Sequence, residues 1–244
     1  MPFKTSLICK SGGKANNQDV AGYAILKKQN AACWVVADGL GGHRGGDTAA
    51  KTAVAVILQR FRQKPECSVQ AINQYLNAAQ EEIVHLQQEQ ARLSRMRTTV
   101  VMMVSDFKHV LWAHVGDSRF YWLQKGAIEF QTKDHSLPQG MVFEGEIGPH
   151  QIRFHKERNS LLRTMGQPSS FRPQVHREKQ LLTEGNAFLL CTDGFWEYVE
   201  EAEMEMDYVN TKIPGKWLRK MEKRLLKKVK GEFDNYTALA VYVC

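Results

Sequence analysis

Two carboxylate-glycine pairs, Asp38-Gly39 and Asp193-Gly194, each follow an apolar run: Ala32 to Ala37 before the first, Ala187 to Cys191 before the second. A third acid, Asp234, precedes another such run, Tyr236 to Val243. Runs of this length and composition predict buried strands, so each acid stands at a strand end beside the core. A fold seldom keeps acids there unless they are paired or hold metal. Convergence of the three predicts an all-oxygen site for a hard cation, Mg²⁺ or Mn²⁺. The glycines after Asp38 permit a sharp turn and close backbone approach to a ligand. Asp38 could then bridge two ions while the Gly39 carbonyl gives another oxygen. Alone, Asp38 is equally an Asp turn cap beside a glycine loop; Asp193 and Asp234 change that balance by repeating the arrangement.

Other polar groups could serve the same chemistry. Asp117, in the turn Gly116-Asp117-Ser118-Arg119, either pairs with Arg119 or binds an additional cation. Asn16-Asn17-Gln18-Asp19 is a polar loop between strands, from which Asp19 can position water. Lys14 brings positive charge to a phosphate, unless it is an ordinary solvated lysine. His43 could exchange protons or be a surface histidine, and a hydrogen-bonded structural role is favoured for His114. Neither histidine belongs to a Ser-His-Asp or Cys-His pattern that sequence can certify.

The elements that must position these groups follow from periodicity. Strands are expected at 3–10, 20–28, 32–37, 98–105, 109–115, 119–124, 126–131, 187–192 and 236–243. A helix starts near Asp47, with Ala49, Ala50, Ala53, Val54, Ile57, Leu58 and Phe61 on one face, and a second runs from about Ser68 to Arg92. Residues 135–160, rich in glycine and proline, read as a partly irregular flap. An acidic segment lies near 200–210. No linker or repeat divides residues 1–244, which predicts one domain. Helices layered on a largely antiparallel sheet system fit this order better than a βαβ unit.

The chain has 244 residues, 43% of them apolar, enough for a substantial core. No apolar run approaches the roughly 20 residues of a membrane span, and the first residues are too polar for a signal peptide. Five dispersed cysteines, Cys9, Cys33, Cys67, Cys191 and Cys244, read as reduced thiols of a cytoplasmic protein. The net charge of +7 is local. Between Gly215 and Gly231 eight bases face one acid, Glu222, on a segment with the apolar helical stripe Trp217, Met221, Leu225, Leu226 and Val229. This is either a surface helix with a solvated basic face or a docking face for an acidic partner or anionic membrane. No nucleic-acid motif accompanies it.

Taken together, the motifs resemble those of the metal-dependent protein phosphatases of the PP2C type, in particular their small bacterial members. Asn16 to Asp19, Val36-Ala37-Asp38-Gly39-Leu40-Gly41-Gly42-His43, Thr98-Thr99, Gly116 to Arg119, Cys191-Thr192-Asp193-Gly194 and Asp234-Asn235-Tyr236-Thr237 occur in the family's order. The resemblance implies an α+β fold: a four-layer α/β/β/α sandwich of two largely antiparallel sheets flanked by helices, with metals at one edge. It implies hydrolysis of phosphoserine and phosphothreonine in proteins by a hydroxide bridging two divalent cations. Carried over by motif, Asp38 bridges two core Mg²⁺ or Mn²⁺ ions and Gly39 adds its carbonyl. Asp193 and Asp234 ligate one of these ions, Asp19 acts through water, and Asp117 with Asp193 offers a third, weaker site. The partners implied are phosphoproteins made by an opposing Ser/Thr kinase, with the chain acting as a monomer. The 135–160 region looks like the family's flap.

The chain also departs from the pattern. Lys14 stands where the family often has arginine, keeping the charge but losing the two-pronged geometry. Arg97 replaces a glycine, Gln18 an acid, and Leu40 a histidine that animal relatives use as a proposed acid. Two alternatives therefore stand beside the phosphatase reading: an inactive relative serving as a binding or regulatory module, and a small-molecule phosphomonoesterase.

Overall fold

The structure is a computed structural model, describing residues 3–40, 45–211 and 213–244. Its first part holds β1 (Phe3–Lys10), β2 (Asp19–Leu26) and β3 (Ala31–Leu40), then α1 (Gly46–Gln63) and α2 (Val69–Glu89). The middle holds β4 (Arg97–Thr98), β5 (Val100–Ser105), β6 (His109–Val115), β7 (Arg119–Gln124) and β8 (Ala127–Gln131). After them come α3 (Leu137–Phe143), β9 (Gln174–Val175), β10 (Gln180–Leu181) and β11 (Ala187–Cys191). The last part is α4 (Asp193–Trp196), α5 (Glu201–Val209), α6 (Pro214–Lys228) and β12 (Tyr236–Val243).

Two sheets form, and every described strand pair is antiparallel. One has the order β1-β12-β11-β7-β8; the other runs β10-β6-β5-β3-β2, with β4 on β3 and β9 on β6. The apolar runs of β3 and β11 lack alternation because both faces of each strand are covered. Cys33, Val35 and Ala37 point to a core shared with α1 and α2, whereas Ala32, Trp34 and Val36 point into the space between the sheets. On β11, Phe188 and Leu190 enter that same space, while Ala187, Leu189 and Cys191 face a third core built with α5 and α6. Helix, sheet, sheet and helix layers thus stack as the α+β sandwich. Each fully buried large side chain, such as Trp34 or Trp217, contributes roughly 2–3 kcal/mol through removal of apolar surface from water.

Several elements differ from expectation. β3 runs three residues past Ala37, because pairing with β2 and then β4 carries it through Asp38, Gly39 and Leu40. The expected strand 98–105 is two, β4 and β5, on either side of Thr99. The helix expected over 68–92 ends at Glu89, and a 3-10 turn follows over Ala91–Leu93. The acidic segment is a helix, α5, whose charges make its apolar side hard to read. The flap region is more regular than its glycines suggest. Ser136 caps α3, its Oγ accepting from the Gln139 N–H, and a 3-10 turn spans Pro149–Phe154. From that turn the buried Arg153 donates to the Trp196 carbonyl at 2.7 Å and to Glu201 at 2.5 Å, tying the flap to α4 and α5. All five cysteines are free. Among the described residues no helix is long and apolar enough to cross a membrane.

Candidate metal centre

The antiparallel register sets Asp19 of β2 directly opposite Asp38 of β3. Asp193 opens α4 just beyond β11, and Asp234 stands just before β12, its neighbour in the sheet. Asp117 lies in the short connection by which the chain leaves β6 in one sheet and enters β7 in the other. The acids therefore collect where the two sheets meet at one edge. Glycine after each anchor acid is required by close packing. A Cβ on Gly39 would lie 2.2 Å from the Gly46 carbonyl oxygen, and one on Gly194 would lie 2.0 Å from that of Asn235. Backbone segments from opposite sides of the site can approach only because those side chains are absent.

A cleft of about 380 Å³ opens over this edge, lined by Asp38, Gly39, Asp117, Asp193, Asp234 and Lys14, with Gln18, Leu40, Asn159, Leu161 and Asn235 completing it. Lys14 is placed there by Asn235, whose Nδ2 donates to the Ser11 and Asn16 carbonyls at 2.8 and 2.9 Å. The Asn235 Oδ1 accepts from the Gln18 N–H at 2.8 Å, closing the 11–18 turn on the site. Asp19 does not line the cleft but sits behind it, 4% exposed. Its Oδ2 accepts from the Thr192 hydroxyl at 2.8 Å, and its Oδ1 has no partner. Asp117 likewise keeps a buried Oδ1 without a partner. Thr99 holds the Asp38 backbone from both sides: its N–H donates to the Asp38 carbonyl at 2.9 Å, and its Oγ1 accepts the Asp38 N–H at 3.1 Å.

This arrangement is electrostatically uphill for a chain alone. Burial, with the nearby Asp193 and Asp234 carboxylates, pushes Asp19 up to about 7. Burial and Asp234 push Asp193 up to about 6, although the Gly194 N–H donates to it at 2.6 Å. Asp38 is held well above the ordinary carboxylate range by burial and by Asp19, Asp193, Asp117 and Asp234. Asp117 is held there by burial, Asp193 and Asp134. Glu197, beside them, is pushed up to about 7 by burial and Asp193 while pairing with Arg158 at 2.6 Å. Carboxylates that repel one another around partnerless oxygens fit a hard divalent cation. Among the described residues no three His, Cys, Asp or Glu side chains close into a ready cage. Sites of this type leave much of the shell to water.

Asp38, Gly39, Asp117, Asp193, Asp234 and Lys14 are brought to one cleft, with Asp19 immediately behind. His114 is structural: buried, its Nε2 lies 2.8 Å from the Lys133 carbonyl and its ring stacks on His135 at 4.4 Å. His43 lies outside the described residues. Asp117 does not pair with Arg119. Arg119 forks onto Asp134 at 2.8 and 2.7 Å and lies 3.4 Å over the Trp196 ring, while the Trp196 indole donates to the Asp117 carbonyl. Arg119→Met should cost about 3 kcal/mol of stability or more, read by urea unfolding, because it strands Asp134 inside the protein. A loss below about 1 kcal/mol would contradict this role. Asn159 of the flap and Leu161 just beyond it sit in no motif, and nothing in the sequence assigns them to the cleft. The bridging work of Asn235 escaped it too, although its motif was visible.

A family model described as protein phosphatase 2C matches residues 11–232. The serine/threonine phosphatase stp of Listeria monocytogenes serotype 4b (strain F2365) is 32% identical over 195 residues, 78% of this chain and 76% of the relative. The crystal structure of the serine/threonine phosphatase Stp1 from Staphylococcus aureus superposes with a TM-score of 0.86 at 27% identity, covering 100% of this chain and 96% of that one. The catalytic domain of the phosphatase PstP, solved with two manganese ions, shares the fold at a TM-score of 0.83 and 22% identity, covering 98% and 97% of the two chains.

Proposed function

Because this chain belongs to the protein phosphatase 2C family, we propose that it is a metal-dependent phosphatase that hydrolyses phosphoserine and phosphothreonine in proteins. The observation that carries this reading is the gathering of Asp38, Asp193, Asp234 and Asp117 around one cleft, with unpartnered oxygens on Asp19 and Asp117. Paired divalent cations, when bound, supply Lewis acidity that makes water nucleophilic at neutral pH and screens the phosphoryl charge. The chain's own part is to hold and aim. Asp38, the Gly39 carbonyl, Asp193 and Asp234 would hold two core ions, Mg²⁺ or Mn²⁺. Asp117 with Asp193 would hold a third. Asp19 orients solvent from behind through its free Oδ1. Lys14 meets the phosphate at the cleft wall, and Asn159 of the flap and Leu161 just beyond it border the bound substrate. Leu40 donates no proton, so the departing alkoxide takes its proton from solvent.

The whole of residues 1–244 works as a single domain, with 135–160 as its flap. Its partners are proteins phosphorylated by a Ser/Thr kinase, together with an acidic partner for the basic helix. It acts as a monomer in the cytoplasm. The test is turnover of a phosphothreonine peptide across a series of Mg²⁺ and Mn²⁺ concentrations, with orthovanadate as an inhibitor control. Metal-dependent turnover that vanadate hardly affects is expected. A folded, metal-loaded chain inert toward every phosphoester would instead mark a binding module. Lys14→Ala should raise KM for the peptide about tenfold or more and leave kcat within a few-fold, since a charge-assisted contact to bound phosphate is lost. Unchanged KM and kcat would remove Lys14 from the site.

A further inference from the structure

The cations of α6 have two different fates. Arg224 pairs with Asp207 and Glu203, and Lys228 with Glu200 and Glu203, so the side facing α5 is neutralised. Lys216, Arg219, Lys223 and Lys227 are exposed, and none makes an ion pair among the described residues. Three or four positions apart, they form one stripe opposite the buried Trp217, Leu218, Met221 and Leu225. β1 extends it. Ser6 lies against Gly215, and Ile8 packs on the α6 core, so strand alternation puts Lys10 on the same face.

The stripe also has a direction. Trp217 packs on Tyr242 at the far end of β12, whereas Glu222 accepts from the Tyr236 hydroxyl at its beginning, beside the metal edge. The chain leaving α6 then reaches Asp234 within about six residues, a span of at most ~20 Å. There the turn that carries Lys14 docks, the Gly13 N–H donating to the Phe233 carbonyl at 3.0 Å. Unpaired positive charge thus runs along the outer layer toward the edge that carries the cleft, with Glu232 the one acid between Lys227 and Asp234.

We propose that this stripe binds an acidic stretch of the phosphoprotein substrate itself, while the phosphorylated residue occupies the cleft; this rests on the phosphatase reading above. Lys216 to Lys227 covers about 17 Å of helix, which roughly five extended residues match. The acidic stretch begins within about six residues of the phosphorylated one. Trp217, Leu218, Met221 and Leu225 are committed to the core, and Leu226 is the one large apolar side chain that α6 exposes, too little to place among lipid chains. Its outer side carries no aromatic ring on which a base could stack. An acidic peptide needs only the charge.

Two phosphothreonine peptides sharing one core test this, with five Glu or five Gln placed about six residues away, on either side in turn. At low salt the Glu peptide should show a KM about tenfold lower, an advantage lost at high salt. The variant K216E/R219E/K223E/K227E should lose it as well while hydrolysing p-nitrophenyl phosphate normally, since that substrate cannot reach α6. Anisotropy of the labelled Glu peptide, read without added metal, should report the same preference. Equal KM and equal anisotropy for the two peptides in both arrangements would overturn the proposal, as would an advantage that survives the charge reversal. Binding of phosphatidylserine vesicles without any acidic-peptide preference would overturn it in favour of a membrane surface. If neither peptide is turned over, the phosphatase reading fails, and the anisotropy alone then decides docking.

Discussion

Asp38→Asn is expected to lower kcat by about a thousandfold or more and, in the same protein stripped of metal, to raise the melting temperature. Both effects have one cause. Asp38 faces four other carboxylates and is held well above the ordinary range by burial and their charge. With Asp38 in its proposed role, a neutral amide would hold the cations far more weakly, and the electrostatic stabilisation of the transferring phosphoryl group would be lost. In the metal-free chain the acid must either take up a proton on folding or stand charged among its neighbours, a cost that a neutral amide of nearly the same shape avoids. The backbone contacts of Asp38 with Thr99 do not depend on the side chain and persist in the variant. Kinetics with a phosphothreonine peptide and thermal unfolding in chelator check the pair. Near-normal turnover, or a metal-free melting temperature below that of the parent, would remove Asp38 from its assigned role.

The metal-free chain should also lose stability as pH rises from about 4 to about 7. Asp19 moves from 3.8 to about 7 on folding, and Asp193 from 3.8 to about 6. Between those limits the folded chain keeps protons that the unfolded chain has released. The stabilising effect is therefore complete below pH ~4 and is lost as pH passes through ~6 and then ~7. At about 1.4 kcal/mol per pKa unit the loss is of the order of several kcal/mol. Saturating Mn²⁺ should restore stability at neutral pH, and less so in acid, where protons compete for the same oxygens. Urea unfolding at a series of pH values, with chelator and with Mn²⁺, reads this out. A metal-free stability that is flat or rising over that window would contradict the picture of mutually repelling acids.

Much of the site was legible in the chain because its logic is local. An apolar run followed by Asp-Gly states both the strand and the acid at its end, and the structure adds why glycine must follow: the carbonyls of Gly46 and Asn235 occupy the space of a Cβ. The order of elements made helices layered on antiparallel sheets legible, whereas the four-layer sandwich came from the resemblance; the structure adds that runs such as Cys33 to Ala37 lack alternation because both faces are covered. What escaped depends on long-range contacts. Asn235 links residues 11–18 to the other end of the chain, and no spacing reveals that. Arg153 makes the flap an anchored element through a carbonyl more than forty residues away. β9 and β10 are two residues each, too short for any periodicity.

Aspartates from both sheets gather at one edge, in the proposed reading to hold paired divalent cations. Anomalous scattering from crystals soaked in Mn²⁺ tests it most directly. Two manganese peaks are expected in the cleft, both touching Asp38, with the Gly39 carbonyl, Asp193 and Asp234 completing the protein ligands. Carboxylates gathered as described but free of manganese at saturating concentration, or manganese bound elsewhere with this cleft empty, would contradict it.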